Sequence, residues 1–306
     1  MSGFREFGVV LPTLALFGGE PAGHRGLIDY AKAAHSLGFQ SAWAADHIMH
    51  EVPGHYATAC LQAVATAVPE MKIGFGTMPA FVRHPLAAAK IIFTLQTLSE
   101  GRLEVALSIG DEREEMAALG VERRERGGRL NETLEILSRL AAGDEISHEG
   151  RYYSFERARI LPAPPGGKLP PLFIASWTGK KALERILRYD AGWMASGLFS
   201  REDGLRAGME TVREAAAERG KQSPPAIITN VPVAISDDRS ALEDVRMFLG
   251  GPQPLMDDEA GLRLVGPAEL AKERLSRIES IGFERLNVLP ARYDLWQLEA
   301  FMKLVS

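Results

Sequence analysis

Short apolar runs alternate with longer amphipathic segments along nearly the whole chain of 306 residues. The runs predict β-strands because they are short, rich in β-branched and aromatic residues, and bounded by Gly, Pro or Asp. In chain order they are "FGVVLP", "FQSAWAAD", "MKIGFGTM", "RLEVALSIG", "PLFIAS", "AGWMAS", "AIITNVPVAI" and "FERLNVLP". Strands that are apolar throughout and separated by helices predict a parallel sheet covered on its helical side.

The segments between these runs predict helices, among them "GLIDYAKAAHSLG", "PLAAAKIIFTLQTLS" and "SALEDVRMFLG". Gly38 and Gly282 each stand directly before a strand, where glycine ends a helix because it adopts the left-handed conformation at low cost. Eight such units predict a closed (β/α)8 TIM barrel, formed by residues 1–306 as a single domain. No G-x-G-x-x-G follows the first strand, which disfavours an open dinucleotide-binding sheet.

Two segments interrupt this rhythm, one after the fourth strand and one after the seventh. Residues 143–170 contain a hairpin-like piece and a Pro/Gly-rich return, and residues 250–266 precede the last full helix. Long insertions in a compact barrel usually lie on its functional face or at an interface. The alternative for both segments is that they are solvent-exposed surface loops without a role in function.

Composition removes several classes of function. A net charge of -5 gives no basic footprint for nucleic acid or for an anionic membrane. The single cysteine, Cys60, excludes an internal disulfide and a zinc cage built from cysteines. The chain shows neither a signal-peptide pattern nor an apolar stretch long enough to span a bilayer, so we expect a cytoplasmic protein.

In such a barrel, reactive side chains collect at the carboxyl ends of the strands and in the loops that follow. The polar or small residues at these positions are Asp46, His47, Ser108, Gly110, Asp111, Ser176, Trp177, Ser196, Gly197 and Asn230.

The stretch "AWAADHIMHEVPGH", which follows the second strand, admits more than one chemistry. A metallohydrolase needs three or more convergent ligands, but the ends of the first, fifth and sixth strands carry no histidine. We therefore predict no metal. His47 beside Asp46 suits proton transfer near neutral pH, and a satisfied polar residue at the barrel rim is the alternative. His50, Glu51 and His55 are expected to be loop residues.

Several blocks of the chain, taken in order, resemble the luciferase-like monooxygenase superfamily. They are "GFQSAWAADHI", "MKIGFGTMPAFVRHPLAAAKIIFTLQTLSEGRLEVALSIG", "EEMAALGV", "RGGRLNETLEILSRL", "HEGRYYSF", "PAPPGGKLPPLFIAS", "DAGWMAS" and "LVGPAELAKERLSRIESIGFERLNVLP". The resemblance runs from the first strand to the eighth and implies a TIM barrel. It also implies that an FMN or coenzyme F420 ring lies across the mouth of the barrel.

The resemblance carries site roles to particular residues. It implies that His47 lies near the reactive centre of the ring and is oriented by Asp46, with Asp111 as a second acid. A non-prolyl cis peptide in a bulge, which supports the ring in relatives, maps onto Phe75–Gly76 followed by Thr77. The remaining cofactor contacts implied are Ser108, Gly110, Ala175, Ser176 and Trp177.

The chain departs from the family pattern at the fifth strand, where Ser176-Trp177 replaces the common Gly-Gly or Gly-Ser. Trp177 either fills phosphate or substrate space, stacks on a ring, or packs on the 143–170 insertion. "SWTGKKALERIL" offers a helix start with Lys180 and Lys181 for a phosphate. The alternative is that Thr178 caps this helix and the lysines face water.

The sequence thus predicts a flavin- or deazaflavin-dependent oxidoreductase, with F420-dependent hydride transfer to or from a small organic substrate preferred. An FMN-dependent two-component monooxygenase, served by a separate reductase, is the first alternative. A non-catalytic flavin-binding barrel is the alternative from another class. We also expect a homodimer, for which the apolar helix "PLAAAKIIFTLQTL" offers a surface.

Overall fold

The computed structural model describes residues 3–16, 20–177, 179–237, 262–290 and 293–306. Eight parallel strands form its central sheet and close on themselves in the order β11-β1-β2-β3-β4-β7-β8-β9, with β9 returning to β11. These strands are β1 (Glu6–Val10), β2 (Ser41–Ala44), β3 (Lys72–Pro79), β4 (Leu103–Ser108), β7 (Leu172–Ala175), β8 (Gly192–Ser196), β9 (Ala226–Ile235) and β11 (Arg285–Pro290). The predicted TIM barrel and all eight predicted strands are confirmed.

Helices surround the barrel, as the alternating pattern predicts. They are α1 (His24–Leu37), α2 (Ala57–Ala67), α3 (Pro85–Leu98), α4 (Arg113–Ala118), α5 (Arg126–Ala141), α6 (Lys180–Arg188), α7 (Glu202–Glu218), α8 (Ala268–Ile281) and α9 (Leu295–Val305). Gly38 and Gly282 end α1 and α8 with φ of 106° and 98°, the left-handed conformation that only glycine adopts without a Cβ penalty. The predicted helix at residues 240–250 lies outside the described residues.

The interior of the barrel is filled by two large aromatic side chains. Trp43 and Phe173 meet edge to face with ring centroids 6.4 Å apart, and both are buried. A Cβ on Gly74 would overlap Trp43, and one on Gly192 would overlap Phe173, so these glycines make room for the rings. The barrel is therefore a packed core below its mouth.

A buried ion cluster closes the opposite, amino-terminal end. Arg285 donates to Glu6 at 2.5 Å and to Glu104 at 2.6 and 3.0 Å, and its guanidinium lies 5.8 Å from the centroids of Trp43 and Phe173. Residues at this end of a TIM barrel usually contribute to stability. Chemistry is accordingly expected at the other end.

The two predicted insertions differ in how far the structure describes them. Residues 143–170 contain an antiparallel hairpin of β5 (Ile146–Glu149) and β6 (Ser154–Ala158), which confirms the predicted hairpin-like piece. The Glu132 carboxylate anchors it by accepting from the backbone N–H groups of residues 151–153. Within 250–266, residues 250–261 lie outside the described residues, and β10 (Leu264–Gly266) pairs with β9.

Where the structure describes helices, none combines the length and apolar character needed to cross a membrane.

Candidate active site at the mouth of the barrel

A run of five neighbouring strands presents short side chains at the open end of the barrel. On four of these strands a partly accessible position lies at or near the carboxyl end, after buried residues, and on β9 it lies in the middle of the strand. In the order of the sheet these positions are Thr77, Ser108, Ala175, Ser196 and Asn230. Together they form a floor of small groups above the Trp43 and Phe173 rings.

The β3 and β4 side of this floor is fixed by hydrogen bonds around an irregularity. The register of β3 against β4 shifts between Gly76 and Met78, and the Gly76–Thr77 peptide is cis. The predicted non-prolyl cis peptide is therefore present, but one bond later than Phe75–Gly76. Thr77 Oγ1 lies 2.9 Å from Ser108 Oγ, which joins the two strand ends.

Phe75, a predicted cofactor contact, has a fully buried side chain. Side chains alternate between the two faces of a strand. Gly74 and Gly76 face the barrel interior at Trp43, so Phe75 points outward into the core between sheet and helices. Any contact of Phe75 with a ligand at the mouth would therefore be made by its backbone.

Gly110 takes a conformation and a position that suit glycine alone. Its φ is +71°, and a Cβ there would overlap the Phe81 ring. The next residue, Asp111, has an exposed carboxylate that pairs with Arg126 at 3.0 Å and with Arg123 at 3.2 Å. Arg126 also donates to the Gly110 carbonyl at 2.7 Å, which fixes the turn after β4.

His47 stands at the end of β2, with its side chain 19% exposed. Its Nδ1 lies 3.1 Å from Glu115 Oε2, and Glu115 itself is 1% exposed. The expectation that Asp46 orients His47 is therefore wrong, since Glu115 from α4 is the carboxylate on the ring. Asp46 is paired instead with Arg83.

Asp46 has a different partner and a different task. It is fully buried, and its Oδ2 lies 2.5 Å from Arg83 Nη1. Arg83 also donates through Nη2 to the Tyr56 hydroxyl at 3.1 Å. The backbone N–H of Asp46 donates to the Thr77 carbonyl, so Asp46 ties the loop after β2 to β3 by its main chain and to the segment after β3 by its side chain.

Glu115 also accepts hydrogen bonds from the backbone of the loop that follows His47. Its Oε1 accepts from the backbone N–H of Ile48 at 2.6 Å and of Met49 at 3.1 Å. Burial would raise the pKa of the Glu115 carboxyl, but these hydrogen bonds and the one from His47 outweigh burial and lower that pKa below its usual value. The carboxylate is thus kept ionised at neutral pH.

A small apolar cluster presents Glu115 to the loop. Met116 and Val121, in and after α4, pack with Phe81 and Val82, which follow β3. Sequence reasoning missed Glu115, although it lies in the block "EEMAALGV". The available signal was its place beside Met116 on the face of α4 that must be buried.

His50 lies next to His47, with ring centroids 4.9 Å apart. Burial, followed by the charge of His47, lowers the pKa of His50. The Nδ1 of His50 accepts from Val52 N–H at 3.2 Å, so this side chain braces its own loop. Among the described residues, no group of three or more His, Cys, Asp or Glu is placed to hold a metal ion.

The β7 end carries the last predicted contacts. Ala175 and Ser176 are partly accessible, and the Ser176 carbonyl accepts from Trp193 Nε1 at 3.2 Å. Ser176 Oγ is buried and has no hydrogen-bond partner among the described residues. Trp177 is 61% exposed, which disfavours the alternative in which it packs on the 143–170 insertion.

The helix that follows, α6, begins beside these residues. A cleft between α6 and α7 is lined by Ser176, Gly179, Lys180 and Trp193. Lys180 and Lys181 are both exposed on the first turn. Thr178, the alternative cap of this helix, lies outside the described residues.

Comparison with known proteins identifies similar sequences over most of the chain. The sequence model of luciferase-like monooxygenases matches residues 5–286. The F420-dependent hydroxymycolic acid dehydrogenase of Mycobacterium tuberculosis is 30% identical over 176 residues, which are 55% of this chain and 48% of that protein. The F420-dependent glucose-6-phosphate dehydrogenase of Amycolatopsis mediterranei is 29% identical over 75% of this chain and 71% of its own length. The match thus spans about half of the first relative.

Solved structures share the fold at lower identity. An F420-dependent secondary alcohol dehydrogenase in complex with an F420-acetone adduct superposes with a TM-score of 0.82 at 17% identity, covering 98% of both chains. The FMN complex of the oxygenating constituent of 3,6-diketocamphane monooxygenase from Pseudomonas putida gives 0.77 at 19% identity, covering 98% of this chain and 97% of that chain.

Proposed function

The chain belongs to the luciferase-like monooxygenase family, and we propose that it is an F420-dependent oxidoreductase that moves a hydride to or from a small organic substrate. The observation that carries this proposal is the arrangement at the mouth. The partly exposed His47 imidazole, held at Nδ1 by a buried carboxylate, stands at the end of β2. The next strand, β3, begins the floor of short side chains.

The residues present fit a flat heterocycle. Four neighbouring strands carry a short side chain at or near the carboxyl end, and β9 carries Asn230 in its middle, which offers a low surface to a flat ring. The packed Trp43 and Phe173 rings lie below it. The buried Ser176 hydroxyl, which lacks a partner among the described residues, is a polar group that a cofactor could satisfy. Ser108, Gly110 and Ala175 complete the proposed contacts.

A phosphate of the cofactor fits best at the start of α6. The first backbone N–H groups of a helix have no partner within the helix and carry partial positive charge. Lys180 and Lys181 add cations on the same turn. The exposed ring of Trp177 stands at the strand end just before this helix, where it can stack on the cofactor or on the substrate.

When bound, F420 supplies a carbon, C5, that accepts or donates a hydride. The task left to the protein is to move a proton as the substrate is oxidised or reduced. His47 performs it, since a neutral imidazole with one nitrogen held inside the protein has the other available at the mouth. Asp111, exposed after β4, is the second acid that the resemblance implies, although its pairs with Arg123 and Arg126 favour the ionised carboxylate.

F420 is preferred over FMN because both curated relatives described above are named as F420-dependent dehydrogenases. The similarity to an FMN-bound monooxygenase supports the second candidate, a two-component monooxygenase fed by a separate reductase. Anaerobic titration of the purified protein with each cofactor separates the two. Binding of F420 with a perturbed absorbance spectrum is expected, and tight FMN binding without F420 binding would reverse the choice.

His47→Gln tests the catalytic role. Loss of a general acid or base typically lowers the rate by about 10²–10⁴-fold, and we expect F420 turnover with a panel of secondary alcohols and sugar phosphates to fall by that factor. His55→Gln is the matched control, because His55 is an exposed histidine of the same loop. Equal rates in the two variants would remove His47 from the chemistry, and absence of turnover in every form would support the non-catalytic flavin-binding barrel.

A cytoplasmic homodimer is also proposed. Helix α3 leaves Leu98 57% exposed and Ile91 partly exposed, and these apolar positions are available to a second copy. Size-exclusion chromatography with light scattering tests the dimer, and a monomer at micromolar concentration would remove it.

A further inference from the structure

The geometry points to Glu115 as the residue that positions His47: it fixes the imidazole in the tautomer with the proton on Nδ1 and leaves Nε2 free for the proton transfer assigned above. Only one part of this inference, the use of Nε2 in proton transfer, rests on the proposed function. The tautomer itself is a property of the protein without any cofactor.

The first step of the argument is the chemistry of the two groups. An ionised carboxylate only accepts hydrogen bonds, and a neutral imidazole carries one N–H. Because Glu115 Oε2 lies 3.1 Å from Nδ1, the nitrogen facing it must carry that proton. Nε2 then bears the lone pair, and any protonation of the ring occurs there.

The second step shows that the acceptor is fixed in place. Glu115 is 1% exposed, and its other oxygen accepts from the backbone of Ile48 and Met49. Those two N–H groups hold the carboxylate plane, so Oε2 is aimed at His47 without freedom to turn away. Ring and loop are thus positioned by one side chain from a different strand–helix unit.

The third step concerns the other charged groups around the ring. His50 packs against His47 from the same loop, and beyond it stand Glu112, 3.9 Å from His50 Nε2, and Glu51. Asp46 precedes His47 in the chain and is paired with Arg83. Of these groups, Glu115 is the one in hydrogen-bond contact with the imidazole, so its charge acts most directly on the ring.

Substitution of Glu115 by Gln separates positioning from anchoring. The amide oxygen can still accept from Ile48 and Met49, which directs the NH2 group toward His47. That group donates and cannot accept, so Nδ1 must give up its proton and the tautomer must reverse. Glu112→Gln is the matched control, since it neutralises a neighbouring carboxylate that bonds no atom of His47.

The experiment is long-range ¹H–¹⁵N NMR of histidine-labelled, cofactor-free protein, with His47→Gln to assign the signal. We expect the Nδ1–H tautomer in the wild type and in Glu112→Gln, and the Nε2–H tautomer in Glu115→Gln. A wild-type ring protonated on Nε2 would overturn the proposal without any variant, as would a tautomer unchanged in Glu115→Gln.

Kinetics with F420 then distinguish the two proposals. If the wild type turns over, Glu115→Gln should lower kcat by at least about tenfold and leave KM nearly unchanged. If the NMR pattern is as expected but no form of the protein reacts with F420, positioning stands and the proposed function fails. If the protein reacts but Glu115→Gln behaves like Glu112→Gln in both assays, positioning fails and the function stands.

Discussion

Removal of the Arg83 guanidinium should destabilise the protein strongly, because it strands a buried charge at the base of the active-site loop. In Arg83→Met the Asp46 carboxylate, which is fully buried, loses a cation 2.5 Å away. The Arg83 side chain is itself only 8% exposed, so water cannot replace it without opening the structure. The variant also deprives the Tyr56 hydroxyl of a donor.

The magnitude follows from burial. Breaking a buried ion pair by removing one partner costs about 3–5 kcal/mol, because the remaining charge is uncompensated. An exposed pair is worth at most about 1 kcal/mol. Arg5→Met is the matched control, since Arg5 pairs with Glu284 at 3.7 Å and is 78% exposed. We therefore expect Arg83→Met to lower the free energy of unfolding several times more than Arg5→Met does.

Urea unfolding at a pH of about 7.5 measures the loss in free energy of unfolding. It is followed by tryptophan fluorescence and by far-UV circular dichroism, and the value is valid when the two transitions coincide. The double variant Asp46→Asn/Arg83→Met contains no unpaired carboxylate at position 46. It should recover at least half of the free energy of unfolding that Arg83→Met loses. A loss in Arg83→Met below about 1 kcal/mol, or a double variant less stable than Arg83→Met, would refute the reasoning.

Three further predictions concern stability away from His47. Arg285→Met leaves Glu104 without its guanidinium partner, and urea unfolding should show a loss of about 3–5 kcal/mol. Gly110→Ala combines a φ of +71° with overlap on the Phe81 ring, so thermal unfolding should report a loss of about 1–3 kcal/mol. Burial raises the pKa of both Tyr30 and Tyr293, so stability is full below the unfolded tyrosine pKa of about 10 and declines as pH rises above it. Ultraviolet difference absorbance of tyrosinate should then show these two rings ionising only as the protein unfolds.

The fold was predictable because each strand and helix is determined by a short stretch of sequence. The conformation of runs such as "AIITNVPVAI", and of the glycines at 38 and 282, is determined by the local sequence. Eight repeats of one strand–helix unit are then compatible with few topologies. The end of a strand is also visible in sequence. That is why Ser108 could be placed at the mouth from its position, whereas Thr77 and Ala175 were implied by the family resemblance.

The site was less predictable because its partners depend on register and on contacts between distant units. Phe75 points away from the mouth because Gly74 and Gly76 face the barrel interior, and a slip of one residue would reverse all three. Glu115 stands 68 positions after His47, in a segment with several glutamates. Sequence adjacency instead favoured Asp46, which is paired with Arg83.

Two buried carboxylates, Asp46 after β2 and Glu115 in α4, therefore share the positioning role that the sequence assigned to Asp46 alone. Asp46 binds Arg83 and through it Tyr56, which fixes the loop to the segment after β3. Glu115 binds the ring of His47 and the backbone behind it, which fixes the loop to the unit after β4. A side chain held from two neighbouring units keeps its orientation without a ligand, and a proton-transfer group gains most when its geometry is set before the substrate arrives. Loss of Arg83 should for that reason mainly lower the free energy of unfolding. Replacement of Glu115 by Gln should mainly change which nitrogen of His47 carries the proton.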